Sequence, residues 1–235
     1  MRKILFAVLA AGLITCFANA QEDKKPKIEG SGNVMTKNIA VQSFDELTIS
    51  GVFSVYLSQG NKEEVKIEAE DNLQELFEVK NEGSKLVVGM KKDISFDSKK
   101  KMKVYITFRK LKSMELKTVG NVSSEQNLSF DALELNNKSV GSVDLKLTTQ
   151  SINVNNKSVG NVKLDGKAEN AVIKNNGVGN IQTGNFLVQK MDIENTGVGS
   201  AEVNAVKELK VKDSFLGKVV NKGNATAKRI NKTVI

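Results

Sequence analysis

Glycine returns at a nearly fixed interval through the second half of this chain. It stands at Gly120, Gly141, Gly160, Gly179, Gly199 and Gly217, at steps of 21, 19, 19, 20 and 18 residues. Each glycine closes a short motif: Thr118-Val119-Gly120-Asn121, Ser139-Val140-Gly141-Ser142, Ser158-Val159-Gly160-Asn161, Gly177-Val178-Gly179-Asn180 and Gly197-Val198-Gly199-Ser200, with Phe215-Leu216-Gly217-Lys218 as a degenerate last copy. Self-similarity at such a period is the signature of a chain that stacks one structural unit per repeat.

Alignment on the glycines shows what the unit is. Eight and six residues upstream stand Leu133 and Leu135, Ile152 and Val154, Ala171 and Ile173, Met191 and Ile193, Leu209 and Val211; two residues downstream stand Val122, Val143, Val162, Ile181, Ala201 and Val219. Apolar side chains spaced by two mark strands with one buried face. Each repeat therefore reads as a strand, a glycine turn, a second strand and a looser return. Helical repeats of similar length carry a leucine-rich consensus that is missing here. The expected fold is all-β, a single-stranded parallel β-helix of about 18–21 residues per rung, with coils about 4.8 Å apart.

One column is polar. Four residues before the glycines come Asn137, Asn156, Asn175 and Asn195, then Asp213. Asparagine bonds well to local main chain at a turn and to an identical side chain one rung away, so these residues are expected to form an internal ladder. A row of ligand-binding amides is the functional alternative. The glycines are expected where the turn needs positive φ or has no room for a Cβ; a phosphate-cradling loop would need a helix after the glycine, and none is predicted.

Before residue 110 the pattern changes. Val52–Leu57, Val65–Glu68, Lys85–Val88 and Met102–Phe108 read as strands, with Asn61 and Gly83 at turns. Asp71 to Phe77 reads as one or two helical turns capped by Asp71 or Asn72. The lysine-rich stretch 91–103 is expected as a solvated loop, and the acids Glu63, Glu64, Glu68, Glu70 and Asp71 as exposed. The organisation expected is a signal peptide at 1–20, a flexible leader at 21–36, and a solenoid domain at 37–235. Within the domain, 37–110 supplies N-terminal strands with a hairpin excursion and 111–225 the regular rungs.

The first twenty residues read as an export signal: Arg2 and Lys3, an apolar run from Ile4 to Ile14, and Ala18-Asn19-Ala20 before the expected cleavage site. Leu13-Ile14-Thr15-Cys16 loosely resembles a lipobox, so lipidation at Cys16 stays open. The rest of the chain has no cysteine and is not apolar enough anywhere to suggest a membrane span. Cleavage leaves 33 basic against 27 acidic side chains, a net charge of +6. Only Arg109 and Arg229 are then arginines, tryptophan is absent and tyrosine occurs twice, which argues against nucleic-acid binding. Histidine is absent, which removes Ser-His and Cys-His nucleophile systems and the common histidine zinc sites. No cofactor or metal site is expected. The Asn-x-Ser/Thr sequons at Asn121, Asn127, Asn137, Asn156, Asn224 and Asn231 read as by-products of the repeat.

Gly30-Ser31-Gly32-Asn33-Val34 and the run Phe44-Asp45-Glu46-Leu47-Thr48-Ile49-Ser50-Gly51-Val52-Phe53-Ser54-Val55-Tyr56-Leu57-Ser58-Gln59-Gly60 resemble the opening of the bacterial head-GIN, putative auto-transporter adhesin family. Leu86-Val87-Val88 and the later Val-Gly turns fit its remainder. The resemblance implies a right-handed, pectin-lyase-like β-helix exported in Gram-negative bacteria, and it carries no catalytic residues over. Together these readings point to a non-enzymatic cell-envelope or surface protein, in the periplasm, at the outer membrane or secreted. Its solenoid face would bind an extracellular polysaccharide or surface protein. A polysaccharide-processing β-helix enzyme and a self-associating scaffold are the alternatives.

Overall fold

The computed structural model describes residues 27–230. The expected signal segment, Cys16 and the Asn231 sequon lie outside the described residues. From residue 113 onward the chain winds as stacked parallel coils, a β-solenoid of about six turns. Strands Leu128–Asn137, Val143–Asn156, Val162–Asn175, Ile181–Asn195 and Ala201–Asp213 each pair in parallel with the next. Their register keeps Leu135, Val154, Ile173, Ile193 and Val211 in one column.

The apolar positions aligned on the glycines are all buried, from Leu133 and Leu135 to Leu209 and Val211 and from Val122 to Val219. The return was expected to be loose and is not. In Val143–Asn156 and the strands above it, the second strand runs unbroken round a bend into the first strand of the next rung. Alternation in Val143-Asp144-Leu145-Lys146-Leu147 carries the buried face round that bend. The 20- and 18-residue steps are absorbed as register shifts around Gln182–Lys190 and the 21-residue step between Ser123 and Leu128, all away from the glycine corner.

At the corner the main chains pass very close. Gly120, Gly141, Gly160, Gly179 and Gly199 have φ between 130° and 149°, a region closed to side-chain-bearing residues. A Cβ on Gly160 would lie 2.2 Å from the carbonyl oxygen of Gly141 one rung below. Gly217 departs from this pattern: it keeps the register, since Leu216 C=O accepts the Gly199 N–H at 3.0 Å, but it is not among the positive-φ glycines. Phe215 and Leu216, both exposed, have replaced the small residue and valine of the motif in this last turn.

The coils do not follow chain order at the N-terminal end. Glu46–Gly51 pairs in parallel with Ser113–Thr118, and Ser54–Gln59 with Val122–Ser124, so residues 46–59 form the coil directly beneath the regular rungs. Beneath that coil lie Lys85–Met90 and Lys103–Phe108, again parallel and in register. The chain thus descends one level and then climbs two. Residues 109–112 are the strap that makes the climb. The hairpin Phe77–Glu82 with Lys85–Met90, and the antiparallel strands Val34–Ala40 and Glu64–Glu70, close this end. One hydrophobic core runs through both halves.

Two N-terminal expectations need correction. Residues 27–36 are not a loose leader: Ile28–Glu29 pairs with Phe96–Asp97, and Val34–Ala40 runs along Glu64–Glu70. The helical turn is a 3-10 segment, Asp71–Leu76, and the residue before it, Glu70, makes no cap hydrogen bond. Asp71 instead accepts from Asn72 N–H at 2.7 Å while binding Ser31 and Asn33.

Replacing Gly160 by Ala is expected to destabilise the fold by about 3 kcal/mol, because forbidden φ and carbonyl overlap act together. Gly83→Ala is expected to cost about 1 kcal/mol, since its φ is 61° and nothing lies within 4 Å of a new Cβ. Urea midpoints of the two variants would separate corner packing from turn propensity.

Candidate functional site

The asparagines aligned on the glycines stand in single file inside the solenoid, each at most 3% exposed. Asn137 Nδ2 donates to Asn156 Oδ1 at 2.8 Å, Asn156 to Asn175 at 2.8 Å and Asn175 to Asn195 at 2.7 Å. Each of the first three Oδ1 atoms also accepts from the residue two further on: Ser139 N–H, the Ser158 hydroxyl and Gly177 N–H. Asn195 ends the file by donating to Gly199 C=O at 3.1 Å. Asp213 keeps the register with Asn195 but stays outside the file. Its carboxylate accepts instead from Arg229 and from Val219 N–H, because the final strand brings Arg229 over the last coil. Closed on itself and hidden from solvent, this column offers no amide to a ligand.

A concave surface lies elsewhere, at the bend where one rung passes into the next. Ala132, Ser151 and Asn170 align as one wall, and Glu134, Asn153 and Val172 as the other. Between them Leu133 and Ile152 form a buried apolar floor. The groove has a volume of about 740 Å³ and runs across the rungs, along the solenoid axis. Its lower end is framed by the strap Arg109–Lys112, which also borders a second hollow lined by Ser43, Asp45 and Glu63.

The strap is held by charge and by one apolar anchor. Leu111 is buried beneath it. Arg109 Nε donates to Glu63 Oε1 at 2.7 Å, and its terminal nitrogen to Ser43 Oγ at 3.1 Å. Burial pushes the Glu63 carboxyl up, but the hydrogen bonds and charge from Arg109 and Ser43 outweigh it and leave the group below its ordinary value. Lys112 Nζ lies 2.6 Å from Asp45, whose carboxyl it holds down, chiefly by hydrogen bonding. Two of the three cations on the strap are therefore already neutralised. Among the described residues Lys110, Asp131 and Glu134 make no ion pair, so the groove carries mixed free charge with one acid in excess.

Sequence reasoning did not find this groove, because its walls are ordinary exposed residues and the strap looks like any charged linker. It also misplaced the acids. Glu70 is fully buried rather than exposed. Its Oε1 accepts Gly32 N–H at 2.7 Å, and its Oε2 accepts the Ser98 hydroxyl at 2.6 Å and Lys99 N–H at 3.0 Å. A Cβ on Gly30 would fall 2.4 Å from that carboxylate. Gly30-Ser31-Gly32-Asn33 is thus a clasp moulded on Glu70 and Asp71. The usable signal was the pairing of small residues at 30–32 with two acids ending a strand. Ser98 first, then the backbone donors, hold the Glu70 carboxyl below its ordinary value.

A family model described as "Putative auto-transporter adhesin, head GIN domain" matches residues 43–225. No curated protein matches the chain. Among solved structures, a putative adhesin from Bacteroides fragilis is 32% identical, with 86% of this chain and 100% of that one covered and a TM-score of 0.74. A putative adhesin from Parabacteroides distasonis is 18% identical over 87% of this chain and 100% of that chain, with a TM-score of 0.59. One from Parabacteroides merdae is 21% identical over 87% and 99%, with a TM-score of 0.53. At those two lower identities the likeness concerns fold alone.

Asn156→Ala is expected to destabilise by about 1–3 kcal/mol, because it leaves the buried Asn137 Nδ2 and Ser158 hydroxyl without their acceptor. Asn155→Ala, at a half-exposed position bonded only to Asn136, is expected to cost under about 1 kcal/mol; equal urea midpoints would remove the buried file from the account. For Glu70 the sign follows from its lowered folded pKa. Its contribution is complete above the ordinary value of 4.5 and disappears as pH falls through the folded value. Glu70→Gln should therefore be less stable than the parent at neutral pH, with the gap shrinking in acid. A gap that is constant with pH would show that the carboxylate charge contributes nothing.

Proposed function

The chain belongs to the "Putative auto-transporter adhesin, head GIN domain" family, and on that footing we propose that it is an exported binding module of the cell envelope or surface, holding an extended polymer in the concave groove without transforming it. The observation that carries this reading is the alignment of the groove walls. Ser151 and Asn170 repeat on one side and Glu134 and Asn153 on the other, one rung apart, over an apolar floor. A surface that offers polar contacts one rung apart on both walls suits an extended ligand. With Arg109 and Lys112 already paired, hydrogen bonding rather than charge dominates, and an uncharged polysaccharide fits better than a strongly acidic one.

A catalytic reading has less support. Polysaccharide cleavage by two carboxyl groups needs one of them kept protonated near neutral pH. Glu63 and Asp45, in the hollow beside the groove, are both held the other way, by cations, and the groove's own carboxylates, Asp131 and Glu134, are exposed to solvent. The scaffold reading is weakened at the C-terminal end. Asn221 donates to the carbonyls of Ala205, Gly223 and Ala225, and its Oδ1 accepts Ala205 N–H at 2.9 Å, so it occupies backbone that a further coil would use.

Screening the exported chain against immobilised polysaccharides should give retention on uncharged polymers. Asn153→Ala combined with Asn170→Ala should weaken that retention about tenfold at unchanged melting temperature. Retention unaffected by the double substitution would move the site elsewhere, and release of new reducing ends would replace binding with catalysis.

A further inference from the structure

The valine of each Val-Gly turn points outward. Val52, Val119, Val140, Val159, Val178 and Val198 are 47 to 53% exposed, and Leu216 extends the line at 60%. They form one straight file: Val119, Val140, Val159, Val178 and Val198 are joined rung to rung by main-chain bridges. Val52 lies beneath Val119, since Gly51 pairs with Thr118. At one rung per residue the ridge is about 29 Å long. Glycine on its downstream side leaves each side chain standing proud.

Strand propensity does not account for this. Threonine has the shape of valine, favours strands equally and would hydrate better at half exposure, yet no rung of the ridge carries it. A polar-rimmed apolar line of this length marks a surface that is covered in use. Protein partners need broad, closely packed contact, about 800 Å² a side, and a convex ridge one side chain wide offers little of that. A fluid lipid surface can close around such a ridge.

The flanks say which lipids. Lys117, Lys138 and Lys157 form an exposed column two residues before Val119, Val140 and Val159, and the column continues as Asn176 and Thr196 beside Val178 and Val198. On the opposite flank Lys100 and Lys101 line a hollow with Val52 and Val119. The acids nearby are few: Glu115 is shared by Lys117 and Lys138, and Asp97 is taken by Lys27. Aliphatic side chains with basic residues concentrated along their lower half match the acyl boundary and phosphates of an anionic bilayer, and the combination supplies the two signals that stable surface attachment needs. We propose that the Val52–Leu216 ridge, with its lysine margins, is a membrane-docking edge that seats the solenoid lengthwise on an anionic lipid surface.

The edge is separate from the polysaccharide groove, so the two readings fail independently. The test is co-sedimentation of the purified chain with vesicles of phosphatidylcholine mixed with phosphatidylglycerol, against vesicles of phosphatidylcholine alone. Binding is expected to the anionic vesicles and to fall with added salt. Val140→Thr, Val159→Thr and Val178→Thr together should lower the partition about tenfold at unchanged melting temperature. Lys138→Gln with Lys157→Gln, whose side chains are exposed and pose no risk to folding, should lower it about tenfold and flatten its salt dependence. Asn153→Ala with Asn170→Ala should leave it unchanged. No sedimentation of the parent chain, or equal sedimentation of the parent and both ridge variants, would overturn the docking edge.

Discussion

Coil-to-coil contact at the glycine corner is the constraint on which the rest of this structure depends. Each corner carbonyl sits where a Cβ of the next rung would go, so main chain meets main chain with nothing between. That contact fixes the rung spacing and the register together. Once they are fixed, every position of the repeat becomes a column, and a column of one residue type acquires properties that no single residue has. Buried asparagines become a chain of amides that satisfy one another, and aligned polar side chains at a bend become the walls of a groove.

The amide file shows how much depends on the register. All its bonds run the same way, from Asn137 toward Asn195, so each amide polarises the next. The file begins where Leu116 gives way to Asn137 and stops where Asp213 turns to Arg229. Below it the same column is filled by Ile49 and Leu116, which pack without needing partners. Polar and apolar fillings of one column are therefore both compatible with the coil, and the amides mark only the regular rungs.

The sequence was legible where the repeat is strict. Glycine spacing and the period-two columns gave the coil and its core residue by residue, because a solenoid writes the same local rule many times. Legibility failed where contacts join segments far apart in the chain. Nothing local in Arg109-Lys110-Leu111-Lys112 announces a strap that skips a level. Glu70 lies about forty residues from the glycines that enclose it, and an acid on an alternating strand normally reads as solvated. The groove failed for a related reason: it is a property of a bend, and bends leave less trace in composition than strands do.

The two-level climb of residues 109–112 has a consequence for how the molecule assembles. The coil at 46–59 has no floor until residues 85–108 have been made, and no roof until the chain has passed over it to residue 113. Growth therefore cannot begin at the amino terminus as the polypeptide emerges. The footings at 46–108 depend on long-range pairings that loop-closure entropy makes slow, whereas each regular rung pairs with its sequence neighbours. There each new rung finds its neighbour as a template and adds in sequence order. The solenoid is built like masonry, with footings out of order and courses in order.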